Sequence, residues 1–199
     1  MPRRAVLSDE QRMALLALPD DETTLVQHWT LSEDDLAIIV RRRRPHNRLG
    51  FAIQLCALRY PGRLLRPGEL IPDTPLAFVA EQLQIAPEVL ADYATRGPTR
   101  YEQLDALREG FGFTQFSRPL RAALQEWLLP IALTTTSGAG LARSLLGECR
   151  RRRIIVPGIS SVERMVAQAL LDAERHVAEH LTRGLETGQR RLLDALLLP

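Results

Sequence analysis

The segment 49–60, LGFAIQLCALRY, constrains this chain most. It is apolar over most of its length, and Pro45 before it and Pro61-Gly62 after it are the punctuation of a buried helix. At about 100° per residue, Leu49, Ile53, Cys56 and Tyr60 point one way and Phe51, Leu55 and Leu58 cover an adjoining sector. Asn47, Gly50, Gln54 and Ala57 form a narrow small-or-polar strip between them. Most of that circumference needs cover. The same region is a basic collar: residues 41–66 contain eight arginines and no acidic residue.

The rest of the chain supplies helices to provide the cover. Ser8-x-x-Gln11, Ser32-x-x-Asp35, Thr99-x-x-Glu102 and Ser160-x-x-Glu163 each set a hydroxyl three residues ahead of an acid or amide, the pattern of a helix N-cap. Helical periodicity predicts segments near 9–17, 21–29, 33–42, 46–60, 75–84, 87–94, 99–110, 118–132, 138–152, 161–183 and 187–197. Alternating strand patterns are scarce. Residues 153–156, Arg-Ile-Ile-Val, read as a connector stopped by Pro157. The fold class is therefore all-α, a set of helix-turn-helix-like bundles. The polar run Thr134-Thr135-Thr136-Ser137-Gly138 divides the chain into an expected domain at 1–133 and a second helical subdomain at 138–199.

Charge is segregated along the sequence, although the net charge is only +2. Arginine blocks at 41–44 and 150–153 stand out from an acidic background and suit a polyanionic partner, nucleic acid first and an anionic membrane surface second. All 26 basic residues are arginine. The absence of lysine removes phosphate-loop, Schiff-base and Ser-x-x-Lys chemistry from this stretch. Cys56 and Cys149, far apart in apolar contexts, read as buried free thiols of a reducing compartment. With no apolar leader and no run of membrane length, the expectation is a cytoplasmic, nucleoid-associated protein with no membrane partner.

Arg41, Arg42, Arg43 and Arg44 admit two accounts. They complement the dipole of a helix starting at Ser32, or they meet an anionic partner; dipole compensation needs only one or two of them. Arg150, Arg151, Arg152 and Arg153 raise the same choice after Gly138. Phosphate contacts are expected from both blocks and from Arg48, Arg63 and Arg66, the last two carried outward by a proline-rich loop at 61–75. The strip on the central helix also reads two ways. Gly50 and Ala57 admit a close neighbour, or Asn47 and Gln54 read base edges in a major groove.

Catalytic signals are thin, and no active site is expected. His176-Val177-Ala178-Glu179-His180 matches H-x-x-E-H, a pattern that also needs a distant acidic ligand. A core stripe of Met165, Val166, Ala169, Leu170, Ala173, Val177 and Leu181 accounts for this helix without metal. The acids fall mostly in first turns, where they favour the helix dipole.

A family resemblance adds to this reading. Asn47-Arg48-Leu49-Gly50-Phe51-Ala52-Ile53-Gln54-Leu55, continuing to Leu58-Arg59-Tyr60-Pro61-Gly62, resembles the N-terminal signature of the replicative bacterial transposases of the Tn-three family. Met1-Pro2-Arg3-Arg4, Leu16-Ala17-Leu18-Pro19, Thr30-Leu31-Ser32-Glu33-Asp34-Asp35-Leu36, Gly112-Phe113 with Phe116, and RRRIIVPGISSVERM over 151–165 match in the same order. The resemblance implies a fragment that binds the terminal inverted repeats of a transposon. Its implied partners are double-stranded DNA, the rest of the transposase chain and a second copy in a homodimer. The family's catalytic portion, an RNase-H-like domain holding divalent metal, has no counterpart here, and no cofactor is expected in this stretch. The competing expectation is an assembly module whose arginine patches meet acidic partners.

Overall fold

The early helices start where a side chain meets their unpaired amides. A computed structural model describes residues 6–93 and 97–196. Ahead of α1 (Asp9–Leu16), the Ser8 hydroxyl accepts from Gln11 N–H while Gln11 Oε1 accepts from Ser8 N–H. Asp21 caps α2 (Glu22–Trp29) through Thr24 N–H, and Ser32 and Asp35 reciprocate at the start of α3 (Glu33–Ile39). Such caps contribute about 1 kcal/mol each.

Then come α4 (Pro45–Arg59), α5 (Asp73–Leu83), a 3₁₀ turn at Pro87–Asp92, α6 (Gly97–Phe111), α7 (Arg118–Ala132), α8 (Gly138–Arg151), α9 (Ile159–Thr182) and α10 (Thr187–Leu196). The fold is all-α. Two of the four hydroxyl-marked starts differ from expectation: α6 begins two residues before Thr99, and α9 begins directly after Gly158, so Ser160 lies inside its first turn.

Two apolar cores form. The first surrounds α4, whose residues 49–58 are all buried, and draws on Leu25, Trp29, Ile39, Val79 and Leu107. The second joins α7, α8 and α9 with Leu7 and the apolar side of α1. Residues 133–137, expected as the seam between two subdomains, link α7 and α8 within this second core.

The connector after α8 stitches the cores together. Ile154 and Val156 enter the second core while Ile155 enters the first, as alternation along an extended chain requires. Ile155 N–H donates to Thr114 O at 2.9 Å and Val156 N–H to Gly62 O at 2.8 Å, with an isolated parallel bridge between Thr114 and Ile154. Gly62 sits at φ 104°, and a Cβ there would come within 3.0 Å of Arg150 and Val156. Glycine permits both the turn and the approach.

The stripe expected on α9 is buried only in part. Val162, Met165, Val166, Ala169 and Ala173 are core, whereas Val177 is 46% and Leu181 71% exposed. The periodicity continues after the packing partners, α7 and α8, have been passed.

Candidate nucleic-acid interface

The two arginine blocks receive different surroundings. α3 stops at Ile39 with no basic residue in its last turn, so 41–44 lie in the turn leading to α4. The block follows the last turn of α3 and does not lie in it. Arg42 is half-buried, its guanidinium 4.3 Å from the Phe51 ring centroid. Arg48 folds back across the turn, Nε donating to Arg42 O at 2.7 Å and Nη2 to Val40 O at 3.2 Å. Those two shape the turn. Arg41, Arg43 and Arg44 are exposed, and among the described residues their side chains have no hydrogen-bond or carboxylate partner.

The start of α4 departs from the three helices before it. Arg44 at the N-cap provides no side-chain cap, Pro45 occupies the first turn, and that turn contains no acid. Pro45 has no N–H, and the Asn47 and Arg48 amides both donate to Arg44 O at 3.0 Å, so the His46 N–H and the positive end of the helix dipole are what this end offers an external anion. Asn47 is half-buried in this turn. Gln54 is 0% exposed, and its Oε1 accepts from Leu65 N–H at 3.2 Å. Gln54 thus holds the 61–75 loop through its oxygen, while its Nε2 has no hydrogen-bond partner among the described residues.

The loop divides its arginines. Arg63, expected to project, turns inward: Nε donates to Leu16 O at 2.8 Å and the fork grips Glu69 at 3.0 and 2.6 Å. This pairing lowers the Glu69 pKa against an opposing burial effect, which is the largest single contribution. Arg66 remains exposed.

At the end of α8, Glu148 gathers two arginines. Arg151 donates to both its oxygens at 2.7 and 2.6 Å, and Arg152 Nε to Oε1 at 2.6 Å. The hydrogen bonds from Arg151, with those from Arg152, hold Glu148 down at about 2 although burial opposes them. Arg150 donates to Pro61 O at 3.3 Å and lies over Tyr60 at 4.9 Å, while Arg153 donates to Phe111 O at 2.8 Å. Tyr60 in turn stacks on His28, with centroids 4.9 Å apart.

His176 and His180 lie on the exposed distal part of α9, and the described residues contain no group of three or more His, Cys, Asp or Glu able to hold a metal. No helix among the described residues is long and apolar enough to cross a membrane. Both cysteines are free and buried; burial pushes Cys56 up to about 12 and Cys149 to about 11.

Comparison with known proteins places this geometry in a family. The domain described as "Domain of unknown function (DUF4158)" matches residues 6–169. This chain belongs to the DUF4158 family. It is 42% identical over 197 residues to the transposase for transposon Tn21 of Escherichia coli, covering 99% of this chain and 20% of that protein. It is 38% identical over 197 residues to the transposase for transposon Tn501 of Pseudomonas aeruginosa, with the same shares. Against the transposase for transposon Tn1546 of Enterococcus faecium it is 32% identical over 194 residues, covering 98% and 20%. These relatives are Tn-three family transposases, as the resemblance of residues 47–62 implied. The DUF4158 chain spans about a fifth of their length.

Sequence reasoning left one residue of the DUF4158 chain out of its site. Arg59, at the end of α4, donates to the buried Asp35 at 2.6 Å and faces the joint between the cores. It belongs to the acid-free stretch 41–66, and that membership was the available signal.

Proposed function

We propose that this chain is a duplex-DNA-binding portion of a transposase and engages the terminal inverted repeats of its transposon. The carrying observation is the turn between α3 and α4. Three exposed arginines without carboxylate partners flank a 15-residue helix whose N-terminus has neither a side-chain cap nor an acid. Guanidinium forks and helix N-terminal amides are both phosphate ligands. Arg41, Arg43 and Arg44 contact phosphates, with Arg66 and the exposed Arg151 as outlying contacts. Asn47 is the remaining candidate for a base edge.

Strand transfer and its divalent metal are assigned to other parts of a longer transposase, and double-stranded DNA and those parts are the partners. The test compares terminal-repeat and scrambled duplexes by fluorescence anisotropy between 50 and 200 mM salt, a range over which binding through several phosphates weakens roughly 10³-fold or more. Replacing Arg41, Arg43 and Arg44 together by Ala should lower affinity and flatten the log–log salt slope by about 0.9 for each phosphate left unneutralised. Equal affinity for the two duplexes would remove sequence recognition. An unchanged slope would remove the turn from the interface.

A further inference from the structure

A second set of arginines converges where the two cores meet. A cleft of about 170 Å³ is lined by Leu58, Arg59, Phe111, Phe113, Arg150 and Arg153. Three of those six carry a guanidinium, and none carries a carboxylate. Asp35 neutralises Arg59 from outside the cleft lining. Among the described residues, the side-chain hydrogen bonds of Arg150 and Arg153 go to the carbonyls of Pro61 and Phe111, which orient a guanidinium without neutralising it. Each fork has five N–H donors, so most remain available.

Arg153, at φ 52°, closes α8 as its left-handed C-terminal cap: its N–H donates to Arg150 O at 3.0 Å and the following Ile154 N–H to Cys149 O at 2.7 Å. One feature opposes a purely structural reading. Arg150 is half-buried against Tyr60 with no acidic partner, and burial lowers its pKa. A desolvated charge without a counter-charge is a state that a bound anion completes.

We propose that Arg59, Arg150 and Arg153 form a binding site for a phosphate-class oxyanion in the cleft between the two cores. Arg59 comes from α4 of the first core, Arg150 from the last turn of α8 and Arg153 from the connector, so the three approach from different elements. That arrangement suits a tetrahedral anion, and its occupancy ties the cores together. The phosphate comes from the backbone of bound duplex, which rests on the reading above, or from free phosphate in solution.

The experiment uses the whole chain and Arg153→Gly, which removes the guanidinium and also relieves the left-handed backbone. In one arm, single phosphates of the terminal-repeat duplex are replaced by neutral methylphosphonates. Wild type should lose roughly tenfold in affinity at one position, and the variant should lose nothing further there. In the other arm, melting is followed without DNA in sodium phosphate and in sodium chloride of equal ionic strength. A melting temperature raised by phosphate in wild type and not in Arg153→Gly supports the site with free phosphate as its source. Coupling at one methylphosphonate supports it with DNA as the source. Neither response, with the variant melting no lower than wild type in chloride, overturns the site. Should the variant melt lower, Arg153→Gln, neutral and of a residue type that holds the same backbone at Gln84, replaces it in both arms and the same outcomes decide. Tight duplex binding without coupling would leave the function proposed for the 41–44 turn standing.

Discussion

At Gly50 the absence of a side chain makes room for a ring. A Cβ built there would lie 2.1–2.4 Å from three ring carbons of Tyr93, so the aromatic ring packs directly on the backbone of α4. Gly50→Ala sets two effects against each other: alanine gains about 1 kcal/mol of helix propensity, and overpacking costs about 1–3 kcal/mol or more. Overlap with a ring, not with a flexible chain end, makes the second prevail, and urea denaturation should show net destabilisation. In a Tyr93→Ala background the same change should become neutral or stabilising. Destabilisation of equal size in both backgrounds would rule out the ring as the cause. The sequence showed that the strip 47-50-54-57 admits a close neighbour, but nothing local identified a tyrosine 43 residues away. The same holds for Gln54: its Oε1 takes a loop backbone amide, and side-chain type carries no record of that partner.

At the scale of the helix, two blocks of identical composition diverge because of what precedes them. Before 150–153 stands Glu148, one turn back and 5% exposed, which receives Arg151 and Arg152. Before 41–44 stands a helix that has already ended at Ile39, with its acids at the opposite end. Capping residues were legible because their partners lie three positions away. The division between structural and free arginines was not, since it depends on where α3 stops. The Glu148 cluster gives a prediction with a definite sign. Its folded pKa, about 2, lies below the ordinary value of 4.5, so its stabilisation is fully present above the ordinary value and is lost as pH falls toward 2. Glu148→Gln should cost roughly 2–3 kcal/mol at pH 7, the scale of charge-assisted hydrogen bonds. The difference from wild type should close progressively below about pH 4.5. A gap that persists unchanged at pH 2 would mean that packing, not charge, accounts for the loss.

Across the whole molecule, burial is distributed unevenly. α4 is enclosed over ten consecutive residues, whereas after Ala173 no described residue is buried through Leu196. The apolar period of α9 runs through Val177 and Leu181, and from sequence alone it marks one continuous core helix. Periodicity records which face is apolar, while the length actually covered depends on where α7 and α8 end. Beyond that point no described residue of α9 is buried, and a helix shorter than about 12–15 residues without such packing is marginal in water. Local opening free energy should therefore fall along a single helix. Amide exchange should be slow at residues 162–173, approaching that of α4, and faster by orders of magnitude at 176–182 and 187–196. Trypsin should cleave after Arg175 and Arg183 before it cleaves after Arg59 or Arg150. Slow exchange throughout α9 would contradict this gradient and require a cover for Leu181, Leu192 and Leu196, which are 71%, 71% and 81% exposed. Dilution separates the sources of such a cover: protection that disappears at low protein concentration comes from a second copy, and protection that persists comes from within the chain.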